Sequence, residues 1–409
     1  MKSKIVLLSY LFLAISFFFL PLKTSISNFG IIGLLVLTVI SFVLHGYKGV
    51  RSLSSSFFFK SSFIIASPIC LGLIYTPDFN EALDEIIKAL FLFLLPLVIL
   101  RKDLGKGTSV KVMSVSLITG SLVACFSLLT VNLYEFFICD LKLVKLFSSD
   151  FTGFDFLEPL NNKLHPIYVG SYFNLALIFI LFNRIISKLS IKIPVIIILL
   201  LTIIFLNSRI IFLSTFITLV IYIVHNFQTK IIVISSVLIL VFSIITFPFL
   251  KNTYIYNKAI NGTIWDLQNN IGTHNTDTKT TSDSRMSRWI CGWEAFVKQP
   301  LLGYGSGSET LVLMEKYKEK KMSRSVKQAY KSHNQFLSYL IKFGLLGSLL
   351  LVLFVSYKIV AGYKQKDMSQ VSFFTMLLFV MLVENYLDRN MGTNLVALVI
   401  TVFLINRND

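Results

Sequence analysis

Apolar residues in this chain run in blocks of 15 to 22, separated by short polar stretches. A half-buried strand would alternate apolar and polar positions, and a soluble helix would carry one apolar stripe. These blocks do neither. Each is long enough to cross about 30 Å of hydrocarbon as an α-helix. Backbone groups in lipid must be paired internally, which favours helices for runs so long and unalternating. The pattern predicts twelve spans, roughly 5–22, 29–45, 57–75, 86–100, 110–131, 166–183, 193–207, 210–226, 231–250, 336–357, 370–385 and 391–406. The expected fold class is therefore all-α, a polytopic membrane protein of about 12 transmembrane helices with one large, partly helical outer loop. Residues 1–250 would hold the first nine spans, 251–335 the loop and 336–409 the last three.

Composition agrees. Of 409 residues 55% are apolar and 14% charged, with mean hydropathy +0.75, whereas soluble chains carry about 25% charged residues. An ordinary soluble domain is excluded. The net charge of +17 invites a nucleic-acid partner, but the positions of the bases argue otherwise. Seventeen fall on the side shared with the N-terminus, among them Lys48, Arg51, Arg101, Arg184 and Lys358; six fall in the short outer loops, namely Lys23, Lys142, Lys145, Lys163, Arg209 and Arg389. This asymmetry sets a membrane orientation. The acid-rich stretch 76–85, with Asp78, Glu81, Asp84 and Glu85, reads as an outer loop. The first span has no small-residue cleavage site and reads as an uncleaved anchor.

The outer segment 251–335 carries 13 bases against seven acids, and long loops escape the orientation rule. Residues 269–284 read as a flexible polar connection. Trp289, Trp293, Phe296 and Val297 fall at helical spacing, so 287–297 is expected to be an amphipathic helix on the bilayer. A glycine turn follows Pro300, then a second helix over 309–322. Gly303, Gly305 and Gly307 neither follow a buried strand nor open a dinucleotide-binding helix, so a nucleotide loop is not indicated. No CxxC or HExxH spacing occurs and no metal is expected. Cys139 and Cys291 are both placed outside and form the one candidate disulfide, which would require a close Cα approach.

Charges at span ends are the first candidates for chemistry, because a charge at the bilayer centre costs at least about 2.5 to 3.5 kcal/mol. Arg209, in Asn207-Ser208-Arg209, separates two spans. It is either a hairpin marker reaching the headgroups or a planar guanidinium aimed at phosphate. Arg285 and Arg288 precede Trp289, and His333 closes the loop. Glu384 and Arg389 flank the eleventh span, where an ion pair joining two helices is the alternative. His165, before Pro166, reads as a helix-start residue. Lys342 falls about 180° from His333 and receives no role. Arg209, Arg285 and His333 are expected to meet in one chamber at the outer rim.

Several of these pieces occur together in a known family: Ser208-Arg209 at a span start, Arg285 before Trp289, Pro300-Leu-Leu-Gly-Tyr-Gly-Ser-Gly307, Ser332-His333-Asn334-Gln335-Phe336-Leu337, Gly344-Leu-Leu-Gly347, and Glu384 with Arg389 and Gly392. On them the chain resembles the O-antigen ligase and O-antigen polymerase superfamily of bacterial inner-membrane glycosyltransferases. The resemblance covers about residues 205–395. It implies transfer of a glycan from a polyprenyl-pyrophosphate carrier to an acceptor sugar hydroxyl, such as that of lipid A core, without metal or cofactor. It also implies a multi-pass protein of the bacterial inner (cytoplasmic) membrane, with both termini cytoplasmic and the large loop periplasmic. Its partners would be the lipid-linked donor, the glycan acceptor and membrane lipids, with no nucleic acid. Arg209 and Arg285 would neutralise the pyrophosphate and His333 would be the base. Glu384 would orient that base or bind acceptor sugar, and Arg288 and Arg389 would bind substrate. Ligase and polymerase both fit, with ligase favoured; a protein glycosyltransferase of the superfamily is a further reading. From a different class, a lipid-linked oligosaccharide or ion-coupled transporter would require ionisable groups near mid-membrane in repeated halves.

Overall fold

The apolar blocks form helices. In the computed structural model these are α1 (Lys2–Phe18), α2 (Thr24–His45), α3 (Phe63–Gly72), α4 (Phe79–Leu94), α5 (Lys106–Ile138), α6 (Pro166–Phe182), α7 (Leu189–Leu206), α8 (Arg209–Asn226), α9 (Asn261–Leu267), α10 (Arg285–Lys298), α11 (Ser308–Glu319), α12 (Gln335–Lys364), α13 (Met368–Met381) and α14 (Asn390–Ile405), with short helical turns between some of them. The structure describes residues 2–45, 60–141, 143–160, 164–183, 185–229, 253–275 and 280–405. The predicted span 231–250, the start of the span 57–75, and Lys48, Arg51, Lys142, Lys163 and Arg184 of the charge pattern lie outside the described residues. Each of the other predicted spans coincides with a helix. Among the described residues, α2, α5, α7, α8 and α12 are long and apolar enough to cross a membrane, and α1, α3, α6, α13 and α14 are shorter apolar helices. The chain is a helical membrane protein.

A helix that is apolar all round belongs in the middle of a bundle. Every residue of α6 from Pro166 to Leu181 is buried, and the helix packs against α5, α7, α8 and α13. The next most enclosed is α14, buried from Gly392 to Ile405 and packed on α4, α5 and α6. Around this centre α3 packs between α4 and α12, while α10 and α11 lie on α12.

Three expectations are corrected. The acid-rich stretch 76–85 is not a loop, because α4 begins at Phe79 under an Asp78 cap whose side chain accepts from the Glu81 amide at 3.1 Å. This leaves Glu85 a turn inside the helix and buried. The polar stretch 269–284 is not only a connection: β1 (Thr273–Asn275) and β2 (Thr280–Ser282) pair antiparallel with Thr273 opposite Ser282, as β-branched residues favour. Asp283 holds this hairpin down, accepting from the Gly272 amide at 2.9 Å and from the Ser325 hydroxyl at 2.8 Å. The helix expected over 309–322 ends at Glu319.

The amphipathic helix appears as α10. One face, with Cys291 and Ala295, joins Val312, Leu313, Tyr317 and Met322 and the α12 residues Leu337 and Ile341 in a small core. Trp293 and Val297 stay more than half exposed, at 55% and 57%. Cys139 and Cys291 are free, since Cys291 is buried with its sulfur 3.6 Å from Met322 Sδ while Cys139 is exposed at the end of α5.

Among the described residues, Arg101 and Lys342 are buried charges with ion-pair partners. Arg101, expected as a topology marker, is fully buried; it grips Asp103 with Nε and Nη2 and donates to Ser9 of α1 at 2.7 Å. Lys342, left without a role, is buried in contact with Glu85 and lies 3.0 Å from Asp388. The glycine turn docks beside it. At Gly344 the helix α12 is broken, with φ 61° and ψ −160°, a region open essentially to glycine alone. The broken backbone bonds are remade by the turn. Tyr304 and Gly305 amides donate to the Ile341 and Lys342 carbonyls at 3.0 and 2.8 Å, and the Leu345 amide donates to the Pro300 carbonyl at 2.8 Å. A Cβ on Gly344 would lie 2.2 Å from the Leu301 carbonyl oxygen. Gly344→Ala is therefore expected to destabilise the protein by about 1 to 3 kcal/mol or more, seen as a lower unfolding temperature in detergent. The control is Gly107→Ala in α5, which has open space around it and should be neutral or slightly stabilising.

Candidate functional site

Two cavities adjoin the segment 253–335. The smaller, of about 520 Å³, is lined by Arg209, Arg285, Asp266, Thr263 and Lys258 among apolar walls that include Phe212, Leu213 and Trp289. The larger, of about 910 Å³, is lined by His333, Glu384, Arg389, Tyr330, Lys23 and Lys88 among others. His165 walls both. The two arginines thus share one cavity and the imidazole faces the next, rather than all three meeting in a single chamber.

The smaller cavity is built from two helix starts. Asn207, in the left-handed conformation at φ 43°, ends α7, and Arg209 is the first residue of α8. Arg285 is the first residue of α10, where Ser284 caps the helix by accepting from the Ser287 amide at 3.2 Å. A cation at the positive end of a helix dipole is electrostatically unfavourable, and here it occurs twice in one cavity. One carboxylate compensates. Asp266 Oδ2 lies 2.5 Å from Arg209 Nη2 and 3.7 Å from Arg285 Nε, and Arg209 Nη1 also donates to Thr263 Oγ1 at 3.2 Å. Burial, reinforced by Arg209 and Arg288 and opposed by Asp266, lowers the Arg285 pKa to about 10. The guanidinium stays charged at neutral pH.

His333 also has a left-handed backbone, at φ 51°, and a non-glycine residue there draws attention to a site. Its Nδ1 is 3.2 Å from Glu384 Oε2. Glu384 follows the end of α13, is 2% exposed, and also accepts from the Tyr168 hydroxyl at 3.3 Å. Burial pushes the Glu384 carboxyl up, but the hydrogen bond with His333 and the positive surroundings outweigh it, and its pKa falls to about 2. A carboxylate only accepts, so Nδ1 carries the hydrogen and the neutral ring is left with a lone pair on Nε2. The His333 pKa is lowered, first by burial and then by the charges of Arg288 and Arg285, with Glu384 opposing.

The remaining sequence candidates take different places. Arg389 is 3.8 Å from the second Glu384 oxygen and is 56% exposed on the wall of the larger cavity. Arg288 lines neither cavity; it is 7% exposed, lies over the Tyr330 ring at 5.0 Å and donates to the Ser284 carbonyl at 3.4 Å. His165 caps α6 by accepting from the Ile167 amide at 3.2 Å, as its place before Pro166 implies, and burial lowers its pKa to about 4. Asp266 and Tyr168 escaped sequence reasoning, because nothing in their immediate neighbours distinguishes a loop acid or an apolar-helix tyrosine from any other.

Residues 194–352 match the family model described as O-Antigen ligase. No curated protein matches the chain. The matched segment runs from α7 into α12 and so contains both arginines and the imidazole, and over these residues the chain is similar to the O-antigen ligase family.

Proposed function

We propose that this protein transfers a glycan from a polyprenyl-pyrophosphate carrier to a sugar hydroxyl of an acceptor such as lipid A core. The reaction would take place at the periplasmic face of a bacterial inner membrane, within a twelve-span bundle. The observation that carries this reading is the convergence of Arg209 and Arg285, from segments 76 residues apart, on one carboxylate in a cavity with otherwise largely apolar walls, beside a cavity holding a carboxylate-oriented imidazole.

Pyrophosphate leaves with its electron pair, so a donor site must neutralise phosphate charge more than supply a proton. Two guanidinium groups at two helix starts meet that need without a divalent ion, since their planar forks match phosphate oxygens. The apolar walls suit the first isoprene units of the carrier. The acceptor enters the larger cavity, where its hydroxyl gives its proton to His333 Nε2 as the oxygen attacks the anomeric carbon. The bond from that carbon to the pyrophosphate oxygen breaks on the opposite side, so the configuration inverts. Glu384 fixes the ring and stabilises the imidazolium that forms. Arg288 acts from a distance through its charge, and Arg389 binds acceptor. Repeat-unit polymerisation uses the same donor and differs only in the acceptor.

His333→Ala should reduce transfer from a lipid-linked donor in vesicles by about 100-fold or more, with membrane abundance and topology unchanged; full activity removes the base. Arg209→Lys and Arg285→Lys should each reduce transfer, because a point charge does not reproduce a bidentate fork, and wild-type turnover in both would leave the arginines as structural pairs. The base works neutral and its pKa lies below 6.5. The rate should therefore hold through neutral pH and fall only as pH drops below the usual histidine range, and a limb at or above 6.5 would contradict the assignment. Glycans of a deletion strain separate the two family activities: loss of long chains with lipid-linked polymer accumulating marks a ligase, and single capped units mark a polymerase.

A further inference from the structure

His333 sits in a backbone conformation that a histidine does not choose unaided, and something must hold it there. The segment on each side is pinned to one buried pair, Glu309 and Asn385. The Ser332 amide and hydroxyl donate to Glu309 Oε1 at 2.9 and 2.6 Å, and the Ser338 hydroxyl donates to Oε2 at 2.7 Å. Asn385 Nδ2 donates to both oxygens, at 3.1 and 2.8 Å. Asn385 Oδ1 in turn accepts from the Asn334 amide at 2.9 Å. The Ser332 carbonyl accepts from Trp289 Nε1 at 3.0 Å, and Asn334 caps α12 by accepting from the Leu337 amide at 3.1 Å.

Two features separate this hub from ordinary packing. Glu309 is 1% exposed, and among the described residues its contacts are neutral donors, with no ammonium or guanidinium within ion-pair distance. Its position in the first turn of α11 places the positive end of a helix dipole beneath it. Five donor contacts saturate both oxygens, so the geometry of every donor is fixed. The second feature is what the hub joins. Asn385 directly follows Glu384, and Ser332 directly precedes His333. The same carboxylate therefore fixes the base and the residue that orients it, although 51 positions separate them in the chain.

We infer that Glu309, through Ser332 and Asn385, is the positioning residue of the His333–Glu384 pair, and that it holds the imidazole in its left-handed conformation with Nε2 toward the acceptor cavity. The inference rests on the proposed role of His333. Glu309 itself touches no substrate. Removing it would let the 332–334 backbone relax and swing the ring away from the acceptor, while the donor cavity around Arg209 and Arg285 keeps its own support from Asp266.

The test is a comparison of Glu309→Gln with Ser332→Ala in membrane vesicles, measuring kcat and the KM for the lipid-linked donor. Gln turns an amide toward groups that are already donors; Ala removes one hydroxyl from the carboxylate and leaves the buried charge in place. Misplacing a reacting group by about 1 Å can cost about 100-fold, so Glu309→Gln should lower kcat by about 10- to 100-fold and Ser332→Ala by a smaller factor, both with donor KM within about twofold. If Glu309→Gln fails to accumulate in the membrane, Ser332→Ala alone decides. Wild-type kcat in Ser332→Ala together with wild-type kcat or failed accumulation of Glu309→Gln, or a loss expressed in donor KM, overturns the positioning role. His333→Ala in parallel keeps the two ideas apart: if it is inactive while Ser332→Ala and Glu309→Gln turn over normally, only the hub is wrong, and if it is active the base assignment fails.

Discussion

Charges buried in a membrane protein must find partners, and in this chain the partners lie far away in sequence. Lys342 on α12 meets Glu85 on α4 and Asp388 before α14. Glu309 on α11 gathers Ser332, Ser338 and Asn385. Asp388 belongs to both groups, since Asn385 Nδ2 also donates to it at 3.2 Å and Lys331 reaches it at 3.1 Å. Leaving any one of these carboxylates unpaired in the interior would cost several kcal/mol. The segment from Gly303 to Ser338 is therefore tied to the helices by charge satisfaction as well as by the apolar core it shares with α10 and α12.

Glycine makes that tie possible. A Cβ at Gly303, Gly305 or Gly307 would press into the backbone of α12, α3 and α4 respectively, and all three glycines have positive φ. The turn can thus lie against three helices at once and supply the backbone bonds that α12 lacks at its break. The Gly307 amide donates to Glu85 at 2.6 Å, which connects the turn to the Lys342 pair. A motif that superficially invites a phosphate-loop reading acts here as a close-packing device.

The two cavities follow from the same framework. Rigid elements hold the catalytic candidates: Arg209 and Arg285 on helix starts, Glu384 between α13 and α14, and His333 against the start of α12. Opposite environments separate their chemistry. In one, two guanidinium groups share a single carboxylate; in the other, burial and neighbouring arginines lower the imidazole pKa while its partner carboxylate stays ionised. Under the proposed mechanism, electrophilic and basic functions would thus sit side by side at one pH.

The sequence by itself determined the helices, because apolar runs of this length have few other ways to satisfy their backbone. It also determined the residues with chemical promise, because charges at the ends of such runs are costly and few. Arg209, His333 and Glu384 stand at or near such ends, whereas Arg285 lies far from any and took its role from the family resemblance. Tertiary structure decided everything that depends on distance between remote segments: that Asp266 joins the arginines, that the arginines and the imidazole occupy adjoining cavities, that stretch 76–85 turns helical from Phe79 with Glu85 inward, and that Arg288 lies over the Tyr330 ring. Hydropathy is a local property of a few turns, whereas each of these contacts is set by which faces of distant helices meet. No window along the chain carries that choice.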